Sequence, residues 1–376
     1  MARIVDRGTS TAMPRSADVA RLAGVSQKTV SRVFNDEPYV SADVRRRVLE
    51  AADQLGYRRN NAARALASGR TRSIGVVSLG TALYGPASLL MGIERAARGT
   101  GYALRVVSTV EGDPAGISGA VQSLLEQGVD GIIISEPIDQ GPVTVRVDVP
   151  VLVLGAPASF SAPLVLTTSV GSDLLARAAT DHLLNLGHQT VHHLAGPQQW
   201  YSARDRLQGW RTALAASGRF EPEIVTGDWS AASGYAEGSK LIADPTVTAV
   251  FAANDDMAIG LIHALVDAGR RVPDDVSVVG FDDIPVSAHV LPPLTTVRQP
   301  FDAVAEEGLK LLLRAIEEPQ DDLPSASDPP VELVVRASTA CPPPRMTPGQ
   351  GKRAATATNR GSHRSATSDG GPSIPH

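Results

Sequence analysis

Cysteine is all but missing. Cys341 is the only one among 376 residues, which rules out an intrachain disulfide framework and any cysteine-built zinc site. Long apolar runs are missing too. No stretch of 18 consecutive apolar residues occurs, so no membrane span and no membrane partner are expected. The opening residues, MARIVDRGTSTAMPRS, have no continuous apolar core and do not read as a secretory signal. Neither a Walker nor a Rossmann glycine fingerprint is present, and no cofactor is expected. No leucine heptad follows Thr339, which removes a coiled-coil oligomerisation tail. What remains is 43% hydrophobic and 20% charged, an ordinary globular balance over enough chain for two or three domains. The simplest expectation is a bacterial cytoplasmic protein, and the next feature adds association with the nucleoid.

Negative charge is scarce at one end. Residues 1–72 carry 14 Lys/Arg against 7 Asp/Glu, residues 73–340 carry 16 against 32, and residues 341–376 carry 5 against 1. A basic head on an acidic body predicts that only the head meets a polyanion.

The head also holds the most informative stretch, DVARLAGVSQKTVSRVFN at 18–35. Two short amphipathic segments flank Gly24, which takes a left-handed turn without a Cβ penalty. Helices are expected over about 17–23, 27–34 and 42–55, capped by Ser16, Ser26 and Ser41, with Gly56 ending the third. Val19, Leu22, Val30, Val33, Val44, Val48 and Leu55 recur at helical spacing and predict one small core. Helix, glycine turn, helix is the helix-turn-helix plan, whose second helix enters the DNA major groove. On that helix Gln27 suits adenine, and Lys28 and Arg32 suit guanine. Ser26, Thr29, Ser31 and Asn35 complete the candidate DNA-binding set. Arg21, Arg45, Arg46 and Arg47 are expected on phosphates, which gives affinity and salt dependence but no sequence information. Residues 1–15 read as a disordered arm. Residues 59–72 read as a hinge and linker. Its Ala-rich part, 60–68, is shorter than the roughly 12–15 residues an isolated helix needs, so it should fold only when held.

From Ser73 onward β-branched runs (74–79, 103–109, 131–135, 151–154, 191–194, 250–253, 276–281) alternate with helical patterns near 87–99, 115–127, 172–186, 203–217, 231–243 and 255–268. Such alternation predicts α/β architecture with two doubly wound parallel sheets, and ligands bind beyond the strand C-termini between the halves. Residues 341–376, rich in Pro, Gly, Ser and Thr, read as a disordered tail.

Seven motifs in order, DVARLAGVSQKTVSRVFN, VSADVRRRVLEAADQLGY, HLLNLGHQTVHHLAGP, SARDRLQGW, FAANDDMAIG, VSVVGFDDIPVSAHVLPPLTTVRQP and ELVVRAST, make the chain from about Ala17 to Thr339 resemble the lactose repressor family of bacterial transcription regulators. The resemblance implies a three-helix helix-turn-helix head (16–58), a hinge helix, and an effector-binding core (73–340) of periplasmic-binding-protein type. One subdomain is expected at about 73–167 plus 299–325 and the other at about 168–298 plus 326–340. It implies a homodimer on pseudo-palindromic double-stranded operator DNA. Asn60 and Ala63 match hinge contacts, and Leu66 matches the residue that wedges into the minor groove. Arg59 departs from the proline of many members, removing a fixed φ ahead of the hinge helix.

The same resemblance assigns the effector site. Arg206, Asn254 and Asp282 match the polar ligand residues, and Trp229 matches a sugar platform. Three details, the TALYGPAS segment with Leu83, Pro86 and Leu89, GDWSAASG with Trp229, and Ser202 before Ala203, resemble galactoside-responsive members. A galactoside or other disaccharide is therefore the expected small sugar effector. An acidic ligand residue expected after Gly171-Ser172 is replaced by Leu174, with Asp173 as a stand-in. The implied function is repression of a carbohydrate-utilisation operon, relieved by the sugar. The alternatives are a corepressor-dependent regulator or a sugar-binding receptor module.

Rival chemistry is weaker. Asp255-Asp256 and Asp282-Asp283 are adjacent pairs whose side chains diverge, unlike a glycosidase pair. Neither an enzyme nor a catalytic residue is expected. His188 and His192 are four apart, but Gly187 ends the helix before them, so no metal site is expected. Trp210 sits on an apolar helical face and reads as packing.

Overall fold

The computed structural model describes residues 14–34, 37–58, 69–110, 116–135, 138–139, 145–155, 161–318 and 330–343. The expected arm and most of the expected tail and hinge lie outside them.

The head is three helices, α1 (Ser16–Ala23), α2 (Gln27–Phe34) and α3 (Ala42–Leu55). Its boundaries have local causes. Gly24 closes α1 at φ 65°, a backbone state glycine reaches without strain. The Ser26 hydroxyl accepts the Thr29 N–H at 3.1 Å, and the Ser41 hydroxyl accepts the Val44 N–H at 3.4 Å. Ser16 is not the cap expected of it. It lies inside α1, Arg15 is the N-cap, and the Asp18 carboxylate accepts the Arg15 N–H at 2.9 Å. An acid in the first turn also suits the positive end of the helix dipole.

Val19, Val30, Val33 and Val48 form the head core, with Val44 and Leu55 against it. Leu22, expected there, is 51% exposed. The buried face of α1 is set by Val19, Ala20 and Ala23, and Leu22 falls about 100° round from it at the helical pitch. Arg45 and Arg47 brace the head from within: Arg45 donates to the Val33 carbonyl at 3.3 Å and Arg47 to the Ala23 carbonyl at 3.1 Å.

The body has two lobes. The first holds an all-parallel sheet in the order β2-β1-β3-β4-β5. Its strands are β1 (Ser73–Leu79), β2 (Ala103–Thr109), β3 (Gly131–Ser135), β4 (Val151–Leu154) and β5 (Val165–Thr168). Helices α4 (Tyr84–Ala97) and α10 (Phe301–Glu317) cover one face, sharing a core of Leu89, Ile93, Leu152, Leu309 and Leu312. Helix α5 (Gly116–Glu126) covers the other through Val121 and Leu124.

The second lobe runs β11-β10-β9-β8-β6-β7, parallel except for β11 (Glu332–Val334). Strands β6 (His192–Ala195), β7 (Val225–Thr226), β8 (Ala249–Ala252), β9 (Ser277–Asp282) and β10 (Thr295–Arg298) complete it. Helices α6 (Ser172–Asn185) and α7 (Tyr201–Ala216) pack on one face around Trp210 and Phe251. Helices α8 (Ala231–Leu241) and α9 (Asp255–Asp267) pack on the other around Met257 and Leu261. The chain passes between lobes after β5, after β10 and after α10.

Strands β5, β7, β10 and β11 and helix α10 were not among the elements expected from sequence. The strands are two to four residues long, too short to show a period of two.

Entry into the first lobe is pinned. The Asp130 carboxylate accepts the N–H groups of Thr71 (2.9 Å) and Arg72 (2.7 Å), and the Thr71 hydroxyl donates to the Gly128 carbonyl at 2.7 Å. Arg72 itself sits at φ 51°, a conformation the two carboxylate bonds hold in place.

Candidate functional site

Between the strand ends of the two lobes lies a narrow cleft, where ligands of such two-lobed sheets bind. Leu83, Tyr84, Gly85 and Pro86 form the first-lobe wall, at the start of α4. The second lobe supplies Ser202 and Arg206 from α7, Trp229 before α8, Asn254 before α9 and Asp282 at the end of β9. Strand-to-helix junctions of a parallel sheet gather there because every β strand points the same way.

Each polar group is held. Arg206 is 4% exposed. Its Nη1 donates to the Ala253 carbonyl at 2.5 Å, and its Nη2 lies 3.6 Å from Asp282 Oδ1. The guanidinium sits 4.0 Å from the centre of the Phe281 ring and 5.3 Å from that of Trp229. Asn254 caps α9, its Oδ1 accepting the Met257 N–H at 3.0 Å while its Nδ2 donates to the Trp229 carbonyl at 2.9 Å. That leaves one amide hydrogen and one oxygen lone pair of its inventory. Trp229 adopts φ 76°. Its indole lies flush on Gly196, where a Cβ would come within 2.2 Å of the ring. The tryptophan is thus packed on one side and lines the cavity on the other.

Burial pushes the Asp282 carboxyl up to about 6, against the pull of Arg206 and of the amide of Gln299, which donates to Asp282 Oδ1. Asp282 and Asp283 sit at φ 111° and 53°, the left-handed region where side chains are strained. The turn is fastened from both sides. Asp255 accepts the Ile284 N–H at 2.9 Å, and Asp283 pairs with Arg336 at 2.6 Å. The acidic pairs thus divide their labour, and Asp255 and Asp283 are consumed in shaping the loop.

Two buried donors on residues lining this cavity, Arg206 Nε and Trp229 Nε1, have no hydrogen-bond partner among the described residues, and neither does Oε1 of Gln299, whose amide is bonded to Asp282. Unsatisfied buried groups are uncommon in folded proteins. Unpaired donors on two residues that line one cavity suit a ligand that brings acceptors, as a hydroxyl-rich one does.

The predicted effector residues Leu83, Pro86, Ser202, Arg206, Trp229, Asn254 and Asp282 come together in this cavity. Leu89 does not; it lines an adjoining one that shares Trp200 and Ser202. Asp173 lines neither of these cavities and is exposed. Tyr84, Trp200 and Gln299 were missed as site residues. Gln299 follows the four-residue strand β10 within VRQP, and once that strand is placed, its last residue is next to the end of β9.

His188 is buried, its two ring nitrogens engaged by Thr248, Ser277 and the Ala340 carbonyl. His193 stacks between Trp210 and Phe251, and burial pushes its imidazole down to about 4. Trp210 donates to the Val191 carbonyl at 2.9 Å, a packing role.

In the head, α2 presents Gln27, Lys28, Ser31 and Arg32 on its exposed side. Thr29 turns its hydroxyl back to Ser26, 2.9 Å away. Arg32 lies 3.3 Å from Glu37, and Arg46 is held by Asp43 and Glu50. Asn35, Asn60, Ala63 and Leu66 lie outside the described residues, as does Arg59.

Two family models match the chain. One, described as "Bacterial regulatory proteins, lacI family", spans 17–60, and the other, "Periplasmic binding protein-like domain", spans 180–339. The lactose operon repressor of Escherichia coli K12 is 37% identical over 335 residues, covering 86% of this chain and 90% of that protein. The ribose operon repressor of the same strain is 34% identical, covering 82% and 94%. Among solved structures, a lac repressor dimer bound to operator and the anti-inducer ONPF is similar with TM-score 0.72 at 33% identity, covering 86% and 98%. A complex of the regulator CelR with cellobiose gives TM-score 0.64 at 31% identity, covering 86% and 99%. No described helix is long and apolar enough to cross a membrane.

Proposed function

This chain belongs to the lacI family of bacterial regulatory proteins, and on that premise we propose that it is a DNA-binding repressor whose hold on its operator is released by a small sugar. The observation that carries the effector half is the convergence of Arg206, Asn254, Asp282, Ser202 and Trp229 on one cavity between the lobes, with Arg206 Nε and Trp229 Nε1 unpaired. Sugar hydroxyls serve as donors and acceptors at once, and an indole offers a face to the C–H side of a pyranose. Arg206, Asn254 and Asp282 bind the hydroxyls, Ser202 adds one more, and Leu83, Pro86 and Trp229 give the apolar walls.

In the same reading residues 16–58 hold the DNA, 59–72 form the hinge, and 73–340 bind effector and dimerise. Gln27, Lys28 and Arg32 read bases, Ser26, Thr29, Ser31 and Asn35 support them, and Asn60, Ala63 and Leu66 engage the minor groove. Two heads on one dimer match the symmetry of a pseudo-palindromic operator. Sugar binding changes the angle between lobes and so the spacing of the hinges. The Asp130 clamp transmits that change, because it fixes residues 71 and 72 to the first lobe. This is linkage between two ligands through a two-state dimer. The protein is not an enzyme, and a regulator of this kind works in the bacterial cytoplasm on the chromosome.

The test is selection of operator sequences from random palindromic DNA, then fluorescence anisotropy of the full chain on the winner while sugars are titrated. Weakening by a sugar is the expected result. Tighter DNA binding on adding a small molecule would reverse the sign to corepression, and no selected sequence would leave only a receptor module.

A further inference from the structure

The two lobes are bonded to each other outside the covalent crossings. Ile138 and Asp139, beyond the end of β3 in the first lobe, meet the turn that leads into α7 in the second. Ile138 and Trp200 form an antiparallel bridge, and the Asp139 N–H donates to the Gln199 carbonyl at 2.9 Å. The Asp139 carboxylate accepts from Arg204 Nη2 at 2.8 Å, and both side chains are half-exposed. Beneath these bonds Ile138 is buried. It shares an apolar cluster with Trp200, Ala203 and Trp229 of the second lobe, and Leu79, at the end of β1, joins it there.

The topology shows what this contact does. Across the second sheet the order runs β10-β9-β8-β6. The chain crosses between lobes after β10, Asp282 ends β9, Asn254 follows β8 and Trp200 follows β6. The charged cavity residues thus lie between the crossings on one side and the Ile138–Trp200 bridge on the other. A rotation about the crossings moves the bridge further than it moves Asp282, so the lobes cannot swing apart without breaking it. We propose that Ile138 and Asp139 are a latch that holds the lobes together whatever the ligand is, and that its strength sets how far the cleft is closed before an effector arrives. A backbone hydrogen bond, a half-exposed ion pair and one buried isoleucine are each modest, which suits a latch that must release. A ligand that bridges the lobes gains apparent affinity by the factor by which the latch raises the closed fraction. The tryptophans report on it. Trp200 is buried and meets Trp229 edge-on at 5.7 Å, and both gain solvent when Ile138 withdraws. Trp210, the third and last in the chain, lies fully buried inside the second lobe and serves as a constant background.

Acrylamide quenching of tryptophan emission and small-angle X-ray scattering, both on the full-length protein with no sugar or DNA added, test this. Asp139→Arg sets two like charges face to face and should open the cleft, so that quenching rises and the radius of gyration grows. Adding Arg204→Glu rebuilds an ion pair of reversed sense and should return both readouts to those of the parent. Asp139→Ala should act in the same direction as Asp139→Arg but less, by up to about fivefold in the ratio of open to closed forms. Ile138→Asp should open the cleft most, because the closed form buries an unpaired charge and the open form leaves it in water. Circular dichroism at parental strength separates opening from unfolding, and the half-exposed Asp139 carries the test if Ile138→Asp fails to fold. Unchanged quenching and scattering in both Asp139 variants, or an opening that Arg204→Glu does not reverse, overturns the latch.

Discussion

The two lobes share an architecture and differ in what they bring to the cleft. In the main cavity the first lobe offers Leu83, Tyr84, Gly85 and Pro86, a largely apolar lip at the start of one helix. The second offers every charged group there, Arg206 and Asp282, together with Asn254, Trp229 and Ser202. The first lobe also holds the DNA-side linker, through Asp130. In the proposed reading recognition and transmission are therefore divided: one lobe would identify the ligand, and the other would close on it and move the DNA-facing end. A ligand bonded only to the second lobe would bind without consequence, since only contacts that differ between open and closed states shift an equilibrium.

The largest effect should come from breaking the second lobe's charge. Arg206→Ala removes charge-assisted bonds to hydroxyls, each about 1.5–3 kcal/mol, so effector affinity should fall roughly a hundredfold or more. It also strands Asp282 in the interior, and breaking a buried pair costs about 3–5 kcal/mol. Thermal denaturation should show that loss, and adding Asp282→Asn should restore most of it; no restoration would mean that the two residues are not coupled.

Next comes pH. Asp282 is held near 6 in the folded chain against 3.8 as its ordinary value. The folded state therefore binds more protons than the unfolded one between those two values. Burial of Asp282 costs stability progressively as pH rises through that window, reaching about 3 kcal/mol above it. Asp282→Asn also takes the counter-charge from Arg206, so what it should change is the slope: the variant should lose the fall in stability that the parent shows as pH rises from about 4 to 6. Effector binding needs the ionised acceptor and should weaken below about pH 6. Calorimetric titrations from pH 5 to 8 that show a flat Kd would detach Asp282 from the ligand.

The first lobe's role as transmitter is tested at Asp130. Asp130→Ala frees two backbone N–H groups of the linker. Effector affinity should stay within about twofold, while sugar-driven release of DNA becomes incomplete, as read by anisotropy at saturating sugar. Equal losses in both readouts would assign Asp130 to general stability. The smallest effect is expected at the lip. Leu83→Ala removes part of an apolar wall, worth about 1–2 kcal/mol if the ligand covers it, or some five- to thirtyfold in Kd. No change would place the ligand wholly on the second lobe.

The sequence was most legible where local chemistry decides. Ser26 and Ser41 cap their helices and Gly24 and Gly56 end theirs, because an N-cap needs only a neighbouring N–H and a left-handed turn needs only a missing Cβ. Longer buried strands such as 73–79 and 131–135 show as β-branched runs. Leu22 misled because one apolar residue at plausible spacing does not fix which face is buried. Strands β7 and β11 have two and three residues and exist only because a neighbouring strand pairs with them. At the cleft, Arg206, Asn254 and Asp282 were reachable through their motifs. Gln299 and Trp200 depended on which strand ends meet across a sheet and between lobes, which spacing along the chain does not encode.

One feature of the topology bears on how the protein is made. The first lobe's sheet is complete at Thr168, yet Phe301–Glu317, which shares the covering of one face with Tyr84–Ala97 and lies over β4 and β5, belongs to a stretch of chain far downstream. At a synthesis rate of roughly 5–20 residues per second, that face waits on the order of ten seconds for its lid. During the delay an apolar sheet surface with Leu152 and Leu154 on it stands open beside the growing second lobe. A chain truncated before residue 301 would leave Leu152 and Leu154 without that cover, and the expected outcome is an aggregating product rather than a free first lobe.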